Sequence, residues 1–94
     1  MNPKIIFEEL PKLKTEAEVS VMRYVSKLLK DRGIEHQVEY CKLGLVVFNT
    51  GNSSLAICGL TRKIVIKGEN INQSLIEVAK ELSKMSGYSL EVRK

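Results

Sequence analysis

The sequence contains no tryptophan, and its aromatic residues are two phenylalanines and three tyrosines. With so few aromatic side chains, a platform on which single-stranded bases could stack is poorly supported. Cysteine and histidine are also scarce, since Cys41 and Cys58 do not form a CxxC pair and His36 is the only histidine. A zinc site built from the cysteines and histidines of one chain is therefore excluded. The sequence predicts no metal and no cofactor.

Long apolar runs are missing as well. The longest covers residues 45–48, whereas a helix needs about 20 apolar residues to cross a bilayer. The N-terminal segment has neither the long apolar centre nor the small-residue cleavage site of a secretory signal. We therefore expect a cytoplasmic protein with no membrane partner and with reduced thiols at both cysteines.

The overall composition is that of a globular protein. Apolar residues make up 44% of the chain and charged residues 28%, which is too apolar and too mixed in sign for a disordered chain. At this length one hydrophobic core is expected, so residues 1–94 are predicted to form a single domain. The net charge of +4 permits contact with nucleic acid or another polyanion but does not require it.

Two segments have the apolar periodicity and the end signals of amphipathic helices. In the first, Thr15 and Glu18 have the spacing of a capping box, and Gly33 stands where a left-handed C-terminal cap belongs. The second is predicted to begin at Asn70, which can act as a cap, and to end before Gly87. Each helix should have one face in the core and one in water.

Residues 37–67, between the helices, show the alternation and turn signals of three or four strands. The gaps are too short for parallel crossovers, which indicates an antiparallel meander. Short strands are also expected at residues 5–7 and 90–92. The predicted fold is an α+β two-layer sandwich in which two helices cover one face of an antiparallel sheet of about four strands. The expected order is (β)-α-β-β-β-β-α-(β).

Residues 45–51 and 63–68 loosely resemble the central strands of the TATA-binding-protein family, and the element order is similar to one repeat of that fold. Without the first strand, the order is also similar to that of a double-stranded-RNA-binding domain. The chain lacks the paired phenylalanines with which the first family wedges DNA base steps. It also lacks the lysine-rich helix start of the second. The resemblance is one of element order, and no family is assigned from it.

A basic strand provides the best candidate for a nucleic-acid contact. Alternation places Lys63 and Lys67 on one face and Arg62 on the other, and Lys42 of a neighbouring strand can join the two lysines on the face not covered by helices. We therefore predict a small noncatalytic binding module that contacts DNA or RNA through these four residues, mainly at phosphates. The alternative is that the lysines only keep this face of the sheet soluble and discourage its edge strands from pairing with other chains.

The predicted strand at residues 43–48 is apolar on both faces. Helices can cover only one face of the sheet. Val46 and Phe48, with Ala56 and Cys58 of the neighbouring strand, are therefore the candidate residues of a homodimer interface on the uncovered face. In that alternative the protein is an assembly module with no nucleic-acid role. The N-terminal residues 5–7 are an equally good candidate to cover this face.

Catalysis has little support in the sequence. His36 and Cys41 could suggest a nucleophile and its base, but strand alternation places them on opposite faces and no third residue is available to orient the histidine. We predict no catalytic residues. A deep pocket that joins His36 to a carboxylate would be the structural sign of an enzyme, and a flat surface there would leave it without a site.

Overall fold

The structure is a computed structural model that describes residues 3–94 as a layer of helices on a sheet. The helices are α1 (Pro3–Glu9), which runs into a 3-10 turn (Leu10–Lys12), α2 (Thr15–Asp31) and α3 (Gln73–Ser86). The strands are β1 (Gln37–Lys42), β2 (Leu45–Asn49), β3 (Ser53–Cys58), β4 (Lys63–Gly68) and β5 (Ser89–Arg93). The predicted α+β two-layer fold is confirmed, with five strands and three helices in place of about four strands and two helices.

The strands lie side by side in sequence order. β1 to β4 form the predicted antiparallel meander, whereas β5 is parallel to β4. The parallel pair arises because α3 carries the chain back along the sheet between these two strands, which is the crossover that parallel strands require. The sheet is therefore mixed rather than purely antiparallel.

One face of the sheet is buried against the helices. Alternate residues of β2, β3 and β4 belong to a single core with the apolar faces of all three helices. The intervening residues point away from the helices, and no part of residues 3–94 forms a layer on that side. We call this side the open face. It consists of Gln37, Tyr40, Lys42, Leu45, Val47, Asn49, Ser54, Ala56, Cys58, Lys63, Val65, Lys67, Ser89, Glu91 and Arg93.

Residues 5–7 are helical and belong to the helical layer, where α1 packs against α2 and α3. The Phe7 ring meets Tyr24 and Tyr88 edge to face, with centroids 6.3 and 5.9 Å away. The Tyr88 hydroxyl donates a hydrogen bond of 2.6 Å to the Phe7 carbonyl oxygen. Both predictions for this segment, a strand or a cover on the open face, are wrong. A run of three apolar residues fits a buried helix as well as a strand.

α2 begins at Thr15, but no capping box forms there. Lys14 is the N-cap residue and its side chain makes no capping hydrogen bond. The Glu18 side chain instead turns inward, is only 3% exposed, and accepts a hydrogen bond of 2.7 Å from the Gly44 N–H. Glu18 therefore ties α2 to the turn between β1 and β2.

α3 begins later than predicted. Asn70 has a left-handed backbone with φ of +51°, so it precedes the helix and does not cap it. Asn72 is the cap, and its Oδ1 accepts a hydrogen bond of 2.8 Å from the Ser74 N–H. The helix ends at Ser86, before Gly87 as predicted, and Gly87 is its left-handed cap with φ of +80°.

The two-residue turn between β1 and β2 places leucine where the backbone favours asparagine. Leu43 and Gly44 have φ of +56° and +74°, the left-handed pair typical of a type I′ hairpin turn. The Leu43 side chain is 63% exposed, so its strained backbone is not offset by burial.

We expect Leu43→Asn to stabilise the protein by about 1 kcal/mol, because asparagine tolerates the left-handed region better than leucine does. The measurement is the free energy of unfolding in urea. Leu60→Asn is the matched control, since Leu60 is also 63% exposed and is not among the positive-φ residues. Equal effects of the two substitutions would contradict the strain assigned to Leu43.

Candidate nucleic-acid interface

The three lysines predicted to bind nucleic acid lie on the open face. Lys42 is paired with Leu45, Leu45 with Cys58, and Cys58 with Lys63. Directly paired residues point to the same side of a sheet, so these four side chains form one row across β1 to β4. Lys67 lies on the same side, further along β4. The structure therefore brings the three lysines to one uncovered surface.

The positive charges of these lysines are not neutralised by the protein. All three are exposed, and no ion pair within residues 3–94 includes any of them. The Lys42 Nζ lies 5.6 Å from the centroid of the Tyr40 ring, and this cation–π contact leaves the charge available. The three ammonium groups can therefore meet an external anion without first breaking an ion pair.

Arg93 adds a further cation that the sequence did not suggest. It lies on the open face because it is paired with Lys67 in the parallel β4–β5 ladder. Its guanidinium forms an ion pair with Glu91 on the same strand, so it contributes less free charge than the lysines. The residue was missed because only the β5 pairing reveals which face it shares.

Arg62 is the one predicted contact that the strand pattern misplaces. It precedes β4 in a turn, with φ of +54°, so strand alternation does not apply to it. Its carbonyl oxygen accepts a hydrogen bond of 3.1 Å from the Ser89 N–H. The side chain is exposed and does not lie with the core residues of β4.

The centre of the open face is apolar. Val47 is paired with Ala56, and Ala56 with Val65, in a second row beside the one that contains the lysines. Tyr40 is paired with Val47 at one end of this row, which puts one aromatic ring on the open face. We call the half-buried apolar residues of this face the apolar strip: Leu45, Val47, Ala56, Cys58 and Val65.

The predicted homodimer patch is divided between the two faces of the sheet. Val46 and Phe48 are 0% exposed and belong to the core beneath the helices, whereas Ala56 and Cys58 lie on the open face. The grouping of these four residues on one surface is therefore wrong. β2 is apolar on both faces, so its sequence does not reveal which alternate set is buried, and a one-residue error exchanges the two sets.

The two cysteines are free and differ in environment. Cys41 points toward α2, where its Sγ donates a hydrogen bond of 3.5 Å to the Glu18 carbonyl oxygen. Burial, and then the Glu18 carboxylate, raise the pKa of the Cys41 thiol. For Cys58 burial also acts to raise the pKa, but hydrogen bonds from Thr61 and from the Leu60 backbone outweigh it, and the pKa is lower than usual.

We therefore expect iodoacetamide to alkylate Cys58 faster than Cys41 near neutral pH, because the thiolate is the reactive species. Both thiols are half-buried, so the difference in thiolate population should dominate. Peptide mapping by mass spectrometry at several times measures the two rates. A faster reaction at Cys41 would contradict the hydrogen bonding assigned to Cys58.

The surroundings of His36 are not flat. An open groove of about 970 Å³ lies beside it. We call it the His36 groove, and its lining includes Ser26, Lys30, Glu35, His36, Asn49 and Thr50. It is an open groove rather than the deep pocket expected of an enzyme, and Glu35, the neighbour of His36 in sequence, is the acidic residue in its lining. Cys41 is absent from the lining, so the groove does not bring Cys41 and His36 together.

No family model matches the chain, and the comparisons with curated proteins and with solved structures found no match. Within residues 3–94, no three His, Cys, Asp or Glu side chains are grouped so as to hold a metal ion. None of the helices in that part of the chain is long and apolar enough to cross a membrane. We therefore infer function from the open face and the His36 groove.

Proposed function

We propose that this protein is a small binding module that contacts nucleic acid through the open face, without catalysing a reaction there. The observation that supports the proposal is the placement of Lys42, Lys63 and Lys67 on one uncovered surface with no ion pair to a protein carboxylate. A nucleic acid that neutralises these charges releases its condensed counterions, which drives binding. A cytoplasmic location, which the sequence predicts, would provide DNA or RNA.

The spacing of the lysines suits an extended polyanion. Lys63 and Lys67 are separated by four residues of β4, and Lys42 by three strand-to-strand steps from Lys63. Both separations are about 13–14 Å between Cα atoms, from about 3.3 Å per residue and about 4.8 Å per strand. A nucleic-acid strand that contacts the lysines through its phosphates would also lie across the apolar strip, with Tyr40 at its edge. Contacts to phosphates position the ligand without reading its sequence.

The experiment is a titration of short fluorescent DNA and RNA, single- and double-stranded, followed by anisotropy at low salt. The double variant Lys63→Glu/Lys67→Glu should weaken binding roughly tenfold or more, because it reverses the charge where the phosphates would lie. The control is Lys80→Glu/Lys84→Glu on the exposed side of α3. Each Lys→Glu change lowers the net charge by two, so both variants have a net charge of 0 instead of +4. Equal weakening by both would show that only total charge matters and would contradict the proposed interface.

The second candidate function is a homodimeric assembly module that uses the same face. The apolar strip favours it, because a half-exposed apolar surface on an uncovered sheet is typical of an interface. Two copies packed through this face would bring the lysines of one copy toward those of the other, so we favour nucleic acid. A dimer of this kind should keep its light-scattering mass at high salt and dissociate in a Val47→Asp variant. A monomeric wild-type protein would remove this candidate.

A further inference from the structure

The His36 groove lies at one end of the sheet, between the C-terminal half of α2, the start of β1 and the end of β2, where Asn49 borders both the groove and the open face. Its volume of about 970 Å³ is near the upper end of the range for small-molecule sites, about 300–1,000 Å³. Ser26 reaches it from α2 and His36 from the segment just before β1. Any activity here is separate from nucleic-acid binding, because the open-face lysines are not part of the lining.

The two side chains are joined by a short hydrogen bond, with 2.6 Å between Ser26 Oγ and His36 Nε2. The other ring nitrogen, Nδ1, lies 2.9 Å from the Ile34 carbonyl oxygen. A carbonyl oxygen can only accept, so Nδ1 carries the proton that makes this bond. In the neutral ring Nε2 is then unprotonated and accepts a hydrogen bond that the Ser26 hydroxyl donates.

This arrangement contains the three parts of an activated serine: a nucleophile, a base in the correct tautomer, and a group that orients the base. The Ile34 carbonyl takes the orienting role that the sequence left without a candidate. The Phe48 and His36 rings are T-shaped to each other with centroids 5.9 Å apart, which further restricts the imidazole. The pairing of Ser26 with His36 could not be predicted from the sequence, because the end of α2 and the following loop separate the two residues.

We infer that Ser26 and His36 form a nucleophile–base pair that hydrolyses small carboxylic esters in the His36 groove. Ser26 Oγ attacks the ester carbonyl carbon while Nε2 takes the hydroxyl proton. The bond to the leaving alcohol breaks, and the alcohol leaves with the proton from Nε2. A water molecule then attacks the acyl-serine in the same way, which releases the carboxylic acid and restores Ser26.

Lys30 provides positive charge for the oxyanion that develops during this attack. It follows Ser26 by four residues on α2, so both lie on one side of the helix. Lys30 lines the same groove and is not among the ion-paired residues of the described chain. A cation placed where negative charge appears lowers the barrier for acyl transfer.

The test is to treat the folded wild-type protein with a fluorophosphonate probe, which phosphonylates activated serines, and to locate the adduct by peptide mapping. We expect an adduct on Ser26 that forms about 100-fold more slowly in His36→Gln, the usual scale of a general-base contribution. Ser20→Ala is the matched control, because Ser20 is half-buried on the same helix but does not line the groove. In the Ser20→Ala variant the adduct on Ser26 should form at the wild-type rate.

Hydrolysis of p-nitrophenyl acetate gives a second readout, with an initial burst of one equivalent as Ser26 is acylated. Ser26→Ala should abolish the burst, and circular dichroism should show that the variant is folded. No adduct on Ser26 in the wild-type protein would overturn the inference. An adduct that forms equally well in His36→Gln, or in guanidinium-unfolded protein, would overturn it too, since either result means that the histidine does not activate the serine.

Discussion

Phe48→Asp is expected to unfold the protein, while Val47→Asp, one residue earlier on β2, is expected to leave it folded. Phe48 is 0% exposed in the core, and loss of a buried aromatic side chain alone costs about 3–5 kcal/mol. An unpaired buried carboxylate adds a further cost. Together these costs approach the whole stability of a small domain, about 5–15 kcal/mol. Val47 lies on the open face, where a carboxylate can remain hydrated.

Circular dichroism and the thermal unfolding transition of the two variants measure this difference. Both substitutions introduce the same charge on the same strand, so the variants differ in the face of the sheet and in the size of the side chain removed. A folded Phe48→Asp variant with a wild-type transition would mean that β2 is one residue out of register. It would then be Val47, not Phe48, that supports the core.

Glu18→Ala is expected to lower the free energy of unfolding by about 2 kcal/mol, the typical value of a hydrogen bond to a charged group. The Glu18 carboxylate accepts the Gly44 N–H in a buried position. Alanine would leave that N–H without its partner and would release the turn between β1 and β2 from α2. Urea unfolding followed by circular dichroism measures the change.

Glu16→Ala is the matched control for Glu18→Ala. Glu16 is in the same first turn of α2 and is exposed, so its loss should change stability by less than about 0.5 kcal/mol. If both substitutions had the same small effect, the hydrogen bond to Gly44 would not be a stabilising tie between helix and turn.

The helices and the meander could be predicted because their patterns are long. α2 and α3 repeat apolar residues over several turns, and the central strands carry clear turn signals. The segment at residues 5–7 could not be assigned, since three apolar residues fit either structure. The parallel position of β5 was also hidden, because strand partners across a crossover leave no local signal in the sequence.

The same distinction applies to the candidate sites: residues marked by a local sequence pattern could be placed, and the others could not. Lys63 and Lys67 were placed on the correct side because polar and apolar residues alternate along β4. Val46 and Phe48 were misplaced because β2 is apolar on both sides. The pairing of Ser26 with His36 depends on how the end of α2 meets the start of β1, and neither residue is marked by its neighbours in the sequence.

The salt dependence of nucleic-acid affinity in the wild-type protein tests the proposed interface most directly. If Lys42, Lys63 and Lys67 each neutralise one phosphate, the logarithm of the association constant should fall against the logarithm of salt concentration with a slope of about −2 to −3. This range corresponds to about 0.7–0.9 counterions released per contact. An affinity that does not change with salt, or no binding to DNA or RNA at low salt, would contradict a nucleic-acid role for the open face.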